Sequence, residues 1–324
     1  MTDEPQLMAN VLAADIGGTH YRIGLFDDAG RRLLLSEGRT KPSGGREWML
    51  NEIRERAQEL IAKSDQPVTT CGISFGGPVD FSNQRVSSMH VSGWRGFELA
   101  NWVEHNLGLK CRVDNDANAG ALGEYRYGAG RGAESIVYMT ISTGIGGGVI
   151  CRGGVHRGKD SIAGELGHIP VSDAGGLCSC GSRGCLETIS SGTAIGLRGR
   201  SFARRKPEAM SRTIELSSGD PEQITAEAVF RAAGEGEKGA LFIVREAARA
   251  LARALLIVIR VLDPEVIILG GGVALSGNIL LDPVHEYLDE FSSPMLEYST
   301  KVVQAELGKY SPLYGGAALA MELD

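Results

Sequence analysis

The sequence has 324 residues, 33 basic and 40 acidic side chains, a net charge of −7 and 43% hydrophobic content. That is an ordinary globular composition, long enough for two domains, and its acidic balance excludes a general attraction to nucleic acid or an anionic membrane surface. The 45 glycines are roughly twice the usual share, and beside this much apolar residue they point to tight turns and close backbone approaches, not disorder.

The N-terminal "MTDEPQLMAN" is acidic and lacks the basic-then-apolar pattern of a signal segment. The longest apolar run, "ALLIVIRVL", is interrupted by Arg260 and falls far short of the ~20 residues of a membrane span. A cytoplasmic location with reduced thiols is therefore expected. Cys71, Cys111 and Cys151 lie singly in apolar strand-like runs, where buried packing is the expectation.

"VLAADIGGTHYRIGLFDDAGRRLLL" reads as strand, glycine turn, strand, turn, strand. Apolar residues at 49, 53, 57 and 60 predict a helix from Arg46 to Ala62. "TTCGISFGGPVD" is a short strand ending in a glycine–proline turn. Leu99, Trp102, Val103 and Leu107 give a short amphipathic helix, and "CRVDND" is a strand running into a loop. About 125 residues after the first hairpin, "SIVYMTISTGIGGGVICRGGV" repeats its pattern, which suggests a duplicated architecture with a cleft between two lobes. The basic run "RGRSFARRK" at 198–206 fits a solvated helix face or an inter-subunit surface better than a nucleic-acid patch. Val244, Ala248, Leu251, Leu255, Val258 and Leu262 predict a long helix. "DPEVIILGGGV" follows as turn, buried strand and glycines, and "SPLYGGAALAMEL" as a glycine-started apolar helix. Alternating strands and helices make the chain α/β.

Several stretches can carry chemistry. In "DIGGT", Asp15 ends a strand, Gly17 and Gly18 let backbone N–H groups approach phosphate oxygens, and Thr19 adds a hydroxyl. Asp15 is suited to magnesium, directly or through water; a plain tight hairpin explains the same residues. "STGIGGG", with Thr143 and Gly144, is its counterpart on the second unit. Neither stretch has the spacing of a Walker loop or a dinucleotide fingerprint. Gly270 and Gly271 would admit a base or ribose against bare backbone, or simply make a strand-to-helix turn. In "VDNDANAGALGE", Asp116 is placed as a general base and Asn115 as a partner for a substrate hydroxyl, with helix capping as the plainer role for both. Phosphoryl transfer to an alcohol needs such a carboxylate to orient and deprotonate the attacking hydroxyl.

"GELGHIPVSDAGGLCSCGSRGCLE" holds His168, Cys178, Cys180 and Cys185. One imidazole and three thiolates make a complete four-ligand set for a closed structural zinc site, with Gly175, Gly176, Gly181 and Gly184 letting the loop wrap the ion. Redox chemistry usually presents C-x-x-C, which is absent. Glu165 and Glu187 bracket the loop, where they suit either paired sugar hydroxyls or a supporting role at helix starts.

Taken together, "DIGGT", "NDAN", "TGIGGG", "GELGH" and "CSCGSRGCLE" resemble the ROK family of sugar kinases and repressors over nearly the whole chain. The resemblance implies an actin-like, hexokinase-like (ribonuclease H-like) two-lobed fold, with residues 1–117 plus 305–324 as the small lobe and 118–304, carrying the zinc loop, as the large lobe. It implies an ATP- and magnesium-dependent kinase acting on the 6-hydroxyl of a hexose, with glucose first and N-acetylmannosamine or N-acetylglucosamine as alternatives. Asp116 would be the catalytic base. Gly77, Asn115, Glu165, His168 and Glu187 would contact sugar, and His168, Cys178, Cys180 and Cys185 would hold zinc. Asp15, Gly17, Gly18, Thr19, Thr143, Gly144, Gly270 and Gly271 would hold the nucleotide. A homodimer or homotetramer without nucleic-acid or membrane partners is implied. The family's repressors carry a DNA-binding module ahead of the first strand, for which the ten residues here leave no room, and a sugar-binding pseudokinase would not be expected to keep Asp15, Asp116 and both glycine loops. Gly76–Gly77 and "DND" are similar to N-acetylmannosamine kinases, and His20 and Ser142 depart from the commonest pattern.

Overall fold

The computed structural model describes residues 9–88, 91–173 and 175–323; the signal-segment reading of residues 1–8 lies outside them. Strand β1 (Asn10–Ile16) is buried along its whole length. It turns through Gly17–Thr19 into antiparallel β2 (His20–Phe26) and then β3 (Arg32–Arg39). Helix α1 (Gly45–Ile61) buries Met49, Ile53, Ala57 and Leu60, as the spacing predicts. Strand β4 (Val68–Phe75) then returns parallel to β1. A small antiparallel sheet of β5 (Val79–Asp80), β6 (Arg85–Val86) and β7 (Phe97–Glu98) leads into α2 (Leu99–Leu107) and β8 (Lys110–Asn115). The first large sheet has the order β3-β2-β1-β4-β8.

Helix α3 (Asp116–Tyr127) begins where β8 ends. The second half opens with β9 (Ser135–Ile141), β10 (Ile145–Cys151) and β11 (Gly154–Val155). Helices α4 (Glu187–Ser190), α5 (Gly192–Arg205), α6 (Ser211–Leu216), α7 (Ala226–Gly234) and α8 (Lys238–Leu262) follow. Strand β12 (Val266–Gly270), helices α9 (Gly271–Ala274) and α10 (Asn278–Phe291), strand β13 (Lys301–Gln304) and helix α11 (Ser311–Met321) complete the chain. The second sheet has the order β11-β10-β9-β12-β13. In both sheets the first three strands of the unit are antiparallel and the next two join in parallel. The duplicated hairpins thus head two copies of one topology, the actin-like α/β arrangement.

The two halves exchange helices. Helix α3 follows the first sheet in sequence but packs on β9 and β10, whereas α11 follows the second sheet and packs on β1 and β4. The two helices meet each other through glycine. A Cβ on Gly315 would lie 1.8 Å from the Ala119 carbonyl oxygen, and one on Gly123 would lie 2.2 Å from that of Ser311. No side chain fits at such distances, so the backbones themselves are the interface. The glycines of "SPLYGGAALAMEL" therefore lie inside α11, which starts earlier, at Ser311-Pro312, where proline's fixed φ suits a first helical turn.

Cys71 and Cys111 are buried as neighbours across β4 and β8. Cys151 is exposed instead, because it is the last residue of β10 at the short edge pair with β11. The basic run on α5 is internally paired: Arg198 with Glu246, Arg204 with Glu222 at 2.5 Å, and Arg200 Nε donating to the Ile224 carbonyl at 3.1 Å. No helix among the described residues is long and apolar enough to cross a membrane.

Candidate active site

Three chain segments converge at the C-terminal ends of β1, β4 and β8, where open α/β sheets place their ligands. The Gly76 N–H donates to the Ile16 carbonyl at 2.8 Å. A Cβ on Gly76 would meet Gly17 Cα at 3.3 Å and Asp116 Oδ2 at 3.8 Å. Bare backbone therefore lines the floor beside the Asp116 carboxylate. Gly18 and Thr19 form the exposed tip of the β1–β2 hairpin, beside Gly17.

Asn115 is the N-cap of α3: its Oδ1 accepts from the N–H of Ala117 at 2.9 Å and of Asn118 at 3.4 Å, and its Nδ2 donates to the Gly77 carbonyl at 3.1 Å. The amide is thus largely engaged by the chain, and Gly77 serves as its backbone acceptor. Asp116, at the first helical position, lies beside the Gly76 backbone. Burial, then the nearby Asp15 carboxylate, pushes its carboxyl up to about 7, with Glu165 adding to the rise. A base poised near neutrality suits proton abstraction from an alcohol.

Asp15 sits opposite Arg22 in the β1–β2 register. It accepts from Arg22 Nη1 at 2.7 Å and from Ser74 Oγ at 3.0 Å. Burial raises its carboxyl above the usual range, against the pull of the Arg22 guanidinium. With a donor already on each oxygen, Asp15 suits magnesium through an intervening water rather than as a direct ligand.

Asp114, two residues before the base and still in β8, is 2% exposed. Arg157 holds its Oδ2 with two N–H groups, Nη2 at 2.6 Å and Nε at 2.9 Å, and stacks its guanidinium 3.6 Å from the Phe81 ring centroid. Oδ1 accepts from the Asn115 N–H at 2.8 Å and from Asn118 Nδ2 at 3.1 Å. Neither Arg157 nor Arg22 stands out in the sequence, because each acquires its role from a partner in another strand or loop.

His168, Cys178, Cys180 and Cys185 gather so that their ligand atoms all lie within 4.8 Å of one another. Cys180 and Cys185 sulfurs are 3.6 Å apart, close to the roughly 3.8 Å edge of a tetrahedron with ~2.3 Å zinc–sulfur bonds. The four residues fit zinc. His168 turns Nδ1 to the Cys178 sulfur at 3.3 Å and Nε2 to Glu165 Oε2 at 3.7 Å, so one ring joins the cluster to Glu165. A backbone N–H bond from Ser182 heads the causes that lower the Cys180 thiol to about 7. Gly184, at φ +67, leaves only 1.6 Å between its would-be Cβ and the Ser172 carbonyl oxygen, whereas Gly176 faces open space.

The loop of Thr143 and Gly144 is closed by Ser142 N–H donating to the Gly144 carbonyl at 2.9 Å. Glu187 belongs to it as much as to the zinc loop, since its Oε2 accepts from the Ile145 N–H at 2.8 Å and lies 2.6 Å from a would-be Cβ on Gly144. The remaining glycines of "STGIGGG" are strand residues with packing roles: Gly148 lies against the Ala117 carbonyl at 2.5 Å and Gly147 against Leu166 at 2.5 Å, measured from their would-be Cβ atoms. They let β10 lie flush on the start of α3 and on the turn carrying Glu165. Gly270 is covered by the Tyr138 ring and hydroxyl, Gly271 makes the strand-to-helix turn at φ +84, and Gly272 is the glycine that presents open backbone.

The chain matches the ROK family over residues 11–323. It is 35% identical to a glucokinase of Thermotoga maritima over 314 residues, 96% of this chain and 97% of that one. It is 31% identical to an N-acetylmannosamine kinase of Salmonella arizonae over 310 residues, 95% of this chain and 97% of that one. A crystal structure of a ROK family glucokinase from Streptomyces griseus in complex with glucose and AMPPNP superposes with a TM-score of 0.85 at 33% identity, covering 97% and 99% of the two chains.

Proposed function

The chain belongs to the ROK family, and from that membership we propose that it is a hexose kinase, transferring the γ-phosphoryl group of ATP to the 6-hydroxyl of glucose. The observation that carries this reading is Asp116, tuned to about 7 and lying beside a floor of bare backbone at Gly17 and Gly76. Its carboxylate accepts the hydroxyl proton as the oxygen attacks phosphorus. Asp114 and the N-cap Asn115 hold the helix start, and with it the base, in place.

His168 Nε2 and Glu165 form one wall of the sugar pocket, and Glu187 joins that wall to the Thr143–Gly144 loop. Zinc, held by His168 Nδ1 and the three thiolates, would supply architecture by fixing that wall. Magnesium would arrive on the nucleotide and neutralise phosphate charge, with Asp15 as its water-mediated partner. Thr19, Gly18, Thr143 and Gly144 approach the phosphates from the two halves, and the open backbone at Gly272, just past the Gly271 turn, leaves room for the nucleoside. Residues 1–117 with 305–324 act as one lobe and 118–304 as the other, and closing the cleft excludes water from the donor.

An N-acetylhexosamine kinase is a second reading, favoured by the side-chain-free Gly76–Gly77 pair near the base. A coupled ADP-release screen across glucose, mannose, fructose, allose, N-acetylglucosamine and N-acetylmannosamine separates the two. Highest kcat/KM on glucose is expected; preference for an N-acetylated sugar selects the second reading, and no ADP release with any sugar overturns both.

A further inference from the structure

On the side of the molecule away from the cleft, a cavity of about 530 Å³ lies among the β2–β3 turn, the end of α3 and the crossover into α11. Arg126, at its wall, is ten residues past Asp116, about 15 Å along the helix axis. The charged side chains lining it are all guanidinium groups: Arg31, Arg32, Arg126 and Arg131. Carboxylates reach three of them from outside the lining, Asp27 to Arg31 at 2.7 Å, Glu322 to Arg126 at 3.5 Å and Glu306 to Arg131 at 3.4 Å. Arg32 has no such partner among the described residues. Its Nη1 is buried without an acceptor, and its guanidinium lies 4.3 Å from the Tyr310 ring centroid.

Tyr127 and Tyr314, 5.8 Å apart between centroids, and Leu307 give the same cavity an apolar side. Gly30, in the left-handed region at φ +76, brings the hairpin backbone flush against the Tyr127 ring. The volume falls in the range of small-molecule sites. Four guanidinium groups facing one concavity recognise phosphate by charge-assisted, forked hydrogen bonds, while the aromatic wall suits an organic body.

We propose that this cavity is a second ligand site that binds a small organic phosphate, separate from the catalytic cleft. Its walls come from both chain crossings between the two halves, Arg126 to Arg131 on one and Leu307 on the other, so an occupant bridges them. Occupancy therefore ties the two crossings to each other. Two sources share this chemistry, a hexose phosphate and a nucleotide.

The test is isothermal titration of the full chain, its cleft first saturated with glucose and AMPPNP, with glucose 6-phosphate, ADP and inorganic phosphate in separate arms. One equivalent of glucose 6-phosphate or ADP is expected to bind, the tighter of the two naming the source. Arg32→Gln and, separately, the exposed Arg131→Gln are expected to weaken that binding at least tenfold while leaving kcat/KM for glucose unchanged. No binding in any arm, or unchanged affinity in both variants, overturns the proposal. Inorganic phosphate binding as tightly as both organic phosphates overturns the aromatic wall's part in it. The variant comparison does not depend on the kinase reading: if the cleft binds neither glucose nor AMPPNP, only an arginine-sensitive phosphate isotherm supports this cavity.

Discussion

The Glu124 carboxylate accepts a hydrogen bond from the backbone N–H of Leu307 at 3.0 Å, across 183 residues of chain. The same side chain, fully buried, also accepts from the N–H of Ala129 at 2.9 Å, the N–H of Glu306 at 3.2 Å and Ser311 Oγ at 2.6 Å. Ala129 begins the first crossing between the halves and Glu306–Ser311 make the second. One carboxylate thus fastens both, with hydrogen bonds in place of a cation.

Glu124→Gln keeps the size and turns a donor toward backbone N–H groups that need an acceptor. A loss of about 2–4 kcal/mol is expected from the weakened charge-assisted bonds. Urea unfolding followed by far-UV circular dichroism reads it as a lower midpoint. An unchanged midpoint would show that the crossings are held elsewhere.

Asp116 holds its proton to about pH 7 in the folded chain, against an ordinary 3.8. As a base it works deprotonated, so kcat/KM should rise with pH through about 7 and then level. Asp116→Asn should lower kcat by about 10² to 10⁴ and leave glucose affinity, measured by calorimetry, near that of the parent.

The same shift has a stability counterpart. The folded state binds the Asp116 proton more tightly than the unfolded one, so this group's stabilising contribution is fully present below about pH 4 and is lost as pH rises through about 7. Asp116→Asn should therefore melt higher than the parent at pH 8, with the gap narrowing toward pH 5. Equal melting temperatures at pH 8 would contradict the burial argument.

Arg157→Met leaves Asp114 buried without its cation, with only the two donors on Oδ1, which costs about 3–5 kcal/mol. Arg157→Lys keeps the charge without the fork and should lose less. Because the loop from Arg157 runs on to Glu165, both variants should raise KM for glucose more than they lower kcat. A pure kcat effect would place Arg157 elsewhere in the mechanism.

Cys180→Ser removes one of four ligands whose donor atoms lie within 4.8 Å of one another. Metal analysis of the purified chain should fall from one zinc per chain to well under one, with a weaker KM for glucose. A parent protein that is metal-free and fully active would remove zinc from the site.

Much of this was legible in the sequence because it is local. The α1 periodicity, the two glycine hairpins and the histidine–cysteine quartet are all contained in short windows, so spacing alone identifies them. The Asp114–Arg157 pair spans 43 residues, and the bonds of Glu124 to Glu306, Leu307 and Ser311 reach across 182 to 187; a charged residue in isolation does not announce a distant partner. Glycine misled in one respect. In "STGIGGG" and "SPLYGGAALAMEL" most of the glycines admit a neighbouring backbone, not a phosphate or a helix start, and only the three-dimensional contact separates these uses.

The exchange of α3 and α11 also orders events at the ribosome. The inner face of the first sheet, with Val11, Ala13 and Phe26, is covered by Leu313, Ala317 and Ala320 of the last helix. Strands synthesised first must therefore wait for roughly 290 further residues, about 15–60 s at ordinary elongation rates. During that interval an apolar sheet face stands uncovered, a natural client for a chaperone.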